Sequence, residues 1–237
     1  MPDGPPARSS AGTSARKSAT TSTRKSAGTS AGKSAGASPG ASDRAPARRA
    51  DARRNIAAIL EAALDCLARD PQASIADIAA AAGVGRITLY GHFSSRLELL
   101  DATFGYALQQ ADQVLDAVDL SGDPRAALTR LIATSWQIID RYRGALTAAG
   151  SELPPERVRA HHGQPMSRVE ALLERGQQAG AFRTDLPLDW LVTLFYTVMH
   201  GAAAEITAGR LPAADADRVI TATLLAAYTP PDGLSPA

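Results

Sequence analysis

Apolar residues recur at intervals of three and four along the chain from Ile56 onward, and are nearly absent before it. Ile56, Ile59, Leu60, Ala63 and Leu67 would share one face, which predicts a first helix over 52–69 with Pro71 just beyond it. Ser74, with Asp77 three residues on, has the form of a capping box and opens a short helix over 75–82. Gly83 supplies its left-handed stop, and a third short helix spans 86–90. Leu97, Leu100, Phe104, Leu108, Ala111, Leu115 and Val118 then keep one face for about six turns, so a long helix is expected from Ser95.

Beyond the Ser-Gly-Asp-Pro break at 121–124, one amphipathic helix carries Leu128, Leu131, Ile132, Trp136 and Ile139. Another carries Val169, Leu172 and Leu173 and ends at Gly180. A very apolar one runs from Pro187 to Ala208 with Gly209 after it, and the last carries Val219, Ile220, Leu224 and Tyr228 before Pro230 and Pro231. No stretch alternates apolar and polar residues between hairpin turns, so the class is all-α.

Composition changes this picture only at the front. Met1 is the one large apolar residue before Ile56, and a segment so poor in them cannot offset the entropy of ordering, so residues 1–50 are expected to be disordered. The same segment holds nine Lys and Arg against Asp3 and Asp43, and all three lysines of the chain. The near-neutral total of 25 basic and 24 acidic residues therefore hides a basic tail on an acidic body. That tail reads either as a solvated extension or as an arm that holds nucleic acid by neutralising phosphates. The expected organisation is a tail over 1–50, a DNA-binding unit over 51–100 and a helical domain over 101–237.

Cys66 is the only cysteine, which excludes an intrachain disulfide, and its apolar neighbours point to a small buried hydrophobe. The basic N-terminal stretch lacks the apolar core of a secretory signal. The most apolar run, 190–204, is interrupted by Thr193, Thr197 and His200 and is too short to span a bilayer, so a cytoplasmic protein with no membrane partner is expected.

The segment 74–96 carries the chemistry. Ile75, Ile78 and Ala79 would bury one face of the short helix, Ala82 would allow close contact, and Val84 would pack the corner after Gly83. Leu89 would anchor the next helix, whose first residues could then present side chains to base edges in the major groove. This is the logic of a helix-turn-helix. The run Ile-Ala-x-x-Ala-Gly-Val, then Thr88-Leu89-Tyr90-x-His92-Phe93, Ser95-Arg96 and Leu99-Leu100, resembles the TetR family over residues 53–104. Gly85 stands where that family usually has Ser, and remains an acceptable N-cap. Arg96 stands where it usually has Lys, keeping the charge.

The resemblance implies that Tyr90 and Arg96 bind phosphates, that Thr88 lies near backbone or base, and that Arg53 and Arg54 touch the adjacent backbone or minor groove. Arg86 is the candidate base reader, since a bidentate Arg on guanine is worth about 1–3 kcal/mol of discrimination. Gly85, Ile87 and His92 complete the candidate DNA-binding set. Against these roles, Tyr90 and Phe93 could serve as core aromatics, His92 as packing, and Arg53 and Arg54 as solvated charges.

For residues 101–237 the resemblance implies a helical ligand-binding and dimerisation unit. Trp136, Tyr142, Met166, Phe195, Met199 and His200 are candidate pocket residues, each of which could equally be ordinary core. His92, His161, His162 and His200 lack any metal-ligand spacing, and neither a nucleophile elbow, a P-loop nor a dinucleotide fingerprint is present. No metal, cofactor or catalysis is therefore expected, and Glu152, Glu156 and Asp185 read as cap or surface carboxylates. The expected function is a homodimeric regulator, a repressor, that binds a palindromic operator in double-stranded DNA and is released by a small-molecule effector. The alternative is a helical ligand-binding or interaction protein without specific operator recognition.

Overall fold

Every regular element in the computed structural model is helical over residues 44–231, the residues it describes. In chain order these are α1 (Arg44–Arg69), α2 (Ile75–Ala81), α3 (Arg86–His92), α4 (Arg96–Leu115), α5 (Pro124–Arg141) and α6 (Arg143–Glu152). Then come α7 (Pro155–His161), α8 (Gly163–Gln178), α9 (Leu188–Thr207), a 3₁₀ turn at Ala213–Asp215, and α10 (Ala216–Tyr228).

The helix ends follow local chemistry. The Ser74 hydroxyl accepts from the Asp77 amide at 3.2 Å while the Ser74 amide donates to the Asp77 carboxylate at 3.0 Å, a complete capping box. Ser95 caps α4 by accepting from the Glu98 amide at 3.1 Å. Asp123 caps α5 by accepting from the Ala126 amide at 2.8 Å, with Pro124 in the first turn where no amide is needed. Gly83 stops the chain after α2 at φ +67°, a conformation that a side chain makes costly.

Two expectations about boundaries need correction. The first helix starts at Arg44 rather than 52, so residues 44–50 of the expected disordered tail are helical. That stretch is Arg-Ala-Pro-Ala-Arg-Arg-Ala, mostly strong helix formers, with Pro46 in the first turn. It carries no large apolar residue, so periodicity could not reveal it. The remainder of that tail, 1–43, lies outside the described residues. The long fourth helix ends at Leu115 rather than reaching Val118, and Leu97, expected on its inner face, is exposed.

The buried side chains form two clusters. One joins α1 to α4: Ile59, Leu67, Ile78, Leu89, Phe93, Leu99 and Phe104, closed over by Ala145, Ala148 and Ala149 of α6 and by Leu153 just after it. The other gathers Leu115 of α4 with α5, α8, α9 and α10 around Leu128, Leu131, Ile132, Leu173, Phe195 and Leu224. Helix α4 contributes to both. The α6 contact is close because Gly144 has no side chain: a Cβ there would lie 2.0 Å from the Leu67 carbonyl oxygen of α1. Tyr228 ends α10 with its hydroxyl donating to the Leu191 carbonyl at 3.0 Å. Every ion pair among the described residues takes its positive partner from an arginine or from His161.

Candidate DNA-binding face and ligand cavity

Helix α3 is held from beneath and open above. Leu89 is wholly buried and Phe93 nearly so, and the preceding turn is fixed by the Val84 amide donating to the Ala79 carbonyl at 3.0 Å. That anchorage leaves Gly85, Arg86, Ile87, Thr88 and Tyr90 exposed on one short helix. Ile87 is 90% exposed, an extreme value for an aliphatic side chain, while His92 at the helix end is half-buried. Tyr90 is 51% exposed, so it is not the core aromatic that Phe93 is. Gly85 caps α3 with no side-chain hydrogen bond. Arg53 and Arg54 are exposed on α1, with Arg54 paired to Asp51.

Arg96 departs from expectation. Its Nε lies 3.0 Å from both carboxylate oxygens of Glu152 and its second terminal nitrogen 2.9 Å from one of them. Further donors reach the carbonyls of Ala73 and, at 3.4 Å, Pro71. Both side chains are about one quarter exposed. Glu152 is therefore no simple cap or surface carboxylate: it ties α6 to the N-terminus of α4 and to the loop ahead of α2. Arg96 still borders a shallow concavity with Ser74, Arg86 and Tyr90, but most of its donors are occupied.

The second site is an apolar slot between α4, α5, α8 and α9. Its cavity volume is about 60 Å³, so it is narrow. Of the expected pocket residues, Met166, Phe195, Met199 and His200 line it. Trp136 and Tyr142 do not. On α5 the lining residues Leu131, Ser135 and Ile138 share one face, and Trp136 sits about 140° round from Leu131, packed in the core instead. Tyr142 ends α5 in a different cleft, with Glu61, Asp65 and Tyr106, and Arg141 over its ring at 5.4 Å.

Sequence reasoning missed Tyr196 and His162. Tyr196 lies one turn from His200, a usable signal, and their rings stack at 4.1 Å. His162 sits at the α7–α8 junction, where no periodicity marks it, and touches His200 at 4.9 Å, Tyr196 at 5.0 Å and Phe104 of α4 at 5.6 Å between ring centres. Burial first, and the neighbouring His162 second, push the His200 imidazole down to about 4. Burial also lowers His162, outweighing the Val158 carbonyl contact that favours its charged form. Both are neutral at pH 7. Among the described residues no group of His, Cys, Asp or Glu could hold a metal ion, and no helix is long and apolar enough to cross a membrane.

Comparison with known proteins agrees with this architecture. Residues 59–103 match the family model for bacterial regulatory proteins of the tetR family. The HTH-type transcriptional regulator NfxB of Pseudomonas aeruginosa is 28% identical over 148 residues, 59% of this chain and 76% of the relative. The HTH-type transcriptional repressor LfrR of Mycolicibacterium smegmatis is 38% identical over 82 residues, 34% of this chain and 43% of the relative. The crystal structure of the TetR-like regulator LfrR from Mycobacterium smegmatis in complex with proflavine superposes with a TM-score of 0.58 at 26% identity, covering 76% of this chain and 98% of that one. A putative TetR-family regulator from Rhodococcus sp. shares the fold at a TM-score of 0.59 and 20% identity, over 76% of this chain and all of the other. A helix-turn-helix that matches the tetR family model, on a helical body shared over its length with a solved TetR-like regulator, gives this chain the fold of the TetR-like transcriptional regulators.

Proposed function

We propose that the chain is a homodimeric repressor that binds a palindromic operator through α3 and leaves it when a small molecule enters the α4–α5–α8–α9 slot. The observation that carries this is the exposure of Arg86, Ile87, Thr88 and Tyr90 on a helix whose opposite side is locked by Leu89. Side chains so presented suit a major groove: Arg86 to guanine, Ile87 against a thymine methyl, Tyr90 to a phosphate. Arg53 and Arg54 supply backbone contacts from α1, and Thr88 and His92 flank the reading residues. Arg96 belongs to the tie with Glu152 rather than to the phosphate contacts.

Release has a physical route in α4. Its first half packs in the cluster that holds α3, and Leu108, Ala111 and Leu115 in its second half line the slot. Because the slot is narrow, a ligand of drug size must move a wall, and a change in α4 shifts α3 against a fixed half-site spacing. Ligand and operator then weaken each other by one coupling free energy. The LfrR relative that was crystallised in complex with proflavine supports a small-molecule partner.

The test is selection of binding sites from random DNA followed by footprinting. A protected inverted repeat is expected. Arg86→Ala should lower affinity for that repeat by about 1–3 kcal/mol and leave random DNA nearly unaffected. Diffuse protection, or equal losses on both DNAs, would refute the reading.

A further inference from the structure

The slot's chemistry narrows what can fill it. None of its lining side chains is an Asp, Glu, Lys or Arg, so a full charge brought inside would have no counter-ion. Its polar atoms are confined to Ser135, His162, Tyr196 and His200. The Val158 carbonyl, which can only accept, lies 2.7 Å from Nδ1 of His162, so Nδ1 carries the proton and donates. A neutral His162 then presents Nε2 as an acceptor, and no group among the described residues is bonded to it. His162 lines the slot on a side chain only 6% exposed, and its Nε2 is an acceptor that a ligand's donor can meet.

Size narrows the choice too: a cavity of about 60 Å³ has no room for a bulky molecule. The rings of Phe195, Tyr196, His162 and His200 form part of its otherwise aliphatic wall. Tyr196 also walls two neighbouring clefts, one toward α6 and α7 and one toward α7 and α8. Arg159 stands in the latter cleft but not in the slot itself.

Resting on the effector reading above, we infer that the slot takes an uncharged, planar aromatic molecule with at least one hydrogen-bond donor, such as a phenol or a neutral ring N–H, directed at Nε2 of His162. The neutrality of both imidazoles at pH 7 adds to the preference, since neither offers a charge to an anion.

The test is calorimetric titration of the full chain at pH 7 with four probes of one ring system: naphthol, methoxynaphthalene, naphthoate and trimethyl(naphthyl)ammonium. Naphthol should bind on the order of tenfold more tightly than methoxynaphthalene, which keeps the shape but has no donor. Naphthoate and the ammonium ion should bind more weakly than either. His162→Phe should remove the advantage of naphthol over its ether; His200→Phe, should the first variant not fold, should reduce it. The inference is overturned if either charged probe matches naphthol, if the ether matches it in the natural chain, or if its advantage survives in both variants. Ala111→Trp, checked for its helical spectrum, separates the two levels. If it blocks naphthol and yet the donor confers no advantage, only the ligand class is wrong. If naphthol binds undiminished to that filled slot, or no probe binds the natural chain, the slot is not the effector site and both readings fall.

Discussion

Replacing Glu152 with alanine should loosen the DNA-binding unit while leaving every exposed residue of α3 in place. Glu152 meets Arg96 through three contacts of 2.9–3.0 Å, with both side chains about a quarter exposed. A fully exposed ion pair is worth about 0–1 kcal/mol, and breaking a buried one costs about 3–5 kcal/mol. A pair at this depth lies between, so Glu152→Ala should cost about 2 kcal/mol, or about 4–8 °C in melting temperature for a domain of this size. Arg96→Ala should cost more, about 3 kcal/mol, because it strands the Glu152 carboxylate and also the carbonyls of Ala73 and Pro71. The double variant should be no less stable than Arg96→Ala alone, since the second change removes a group already without its partner. Urea denaturation of the four proteins measures this cycle, and operator titration by fluorescence anisotropy follows the consequence for DNA. Both single variants should bind operator somewhat more weakly, with an unchanged salt slope. Additive stability losses would refute the tie. So would a Glu152→Ala protein that binds DNA more tightly while Arg96→Ala binds less, since Arg96 would then be leaving Glu152 for a phosphate.

Gly144→Ala places a Cβ 2.0 Å from the Leu67 carbonyl oxygen, so α1 and α6 must separate; a loss of about 1–3 kcal/mol in thermal melts is expected, whereas Gly150→Ala, with nothing within 4 Å, should be neutral or stabilising. Equal effects of the two would contradict the close α1–α6 contact. Stability should also fall on acidification, because His200 is held at about 4 in the fold against an ordinary value of 6.5. The unfolded chain takes up that proton first, so the loss begins as pH falls through 6.5, reaches about 2 kcal/mol by about pH 5, and levels off below the folded value. Denaturation midpoints should show a shallower slope in His200→Phe; an unaltered slope would mean that His200 is not the group responsible.

The parts of this fold that were legible in the sequence are those where one residue type has one physical use. Ser74 with Asp77 marked a helix start, the Ser-Gly-Asp-Pro break at 121–124 marked the gap ahead of α5, and Gly83 marked a turn, because capping, chain breaks and positive φ leave local signatures. Leu89 as the anchor of α3 followed from the same local logic. What escaped was carried by small residues or by distance. Helix α6 buries alanines against α1 at a glycine, and a stripe of Ala145, Ala148 and Ala149 does not register as an apolar face. The start of α1 is written in Arg, Ala and one Pro. Arg96 finds its carboxylate 56 residues away, and nothing near either residue announces the other. Trp136 and Tyr142 were assigned to the pocket by type; their positions around and at the end of α5 decide otherwise.

The reliance on arginine in the folded body reaches beyond stability. From residue 44 to 231 there is no lysine, so the ion pairs that hold α4 to α6, α7 and α8 rest on guanidinium groups or on His161. Acetyl and other acyl donors that neutralise lysine amines cannot alter the charge of α3, unfasten Glu152, or change the surface of the helical body. Lysine acylation can act only at Lys17, Lys25 and Lys33, the three side-chain amines in the basic N-terminal segment. Metabolic acylation and effector binding would therefore reach this protein through separate parts of one chain, and neither could counterfeit the other.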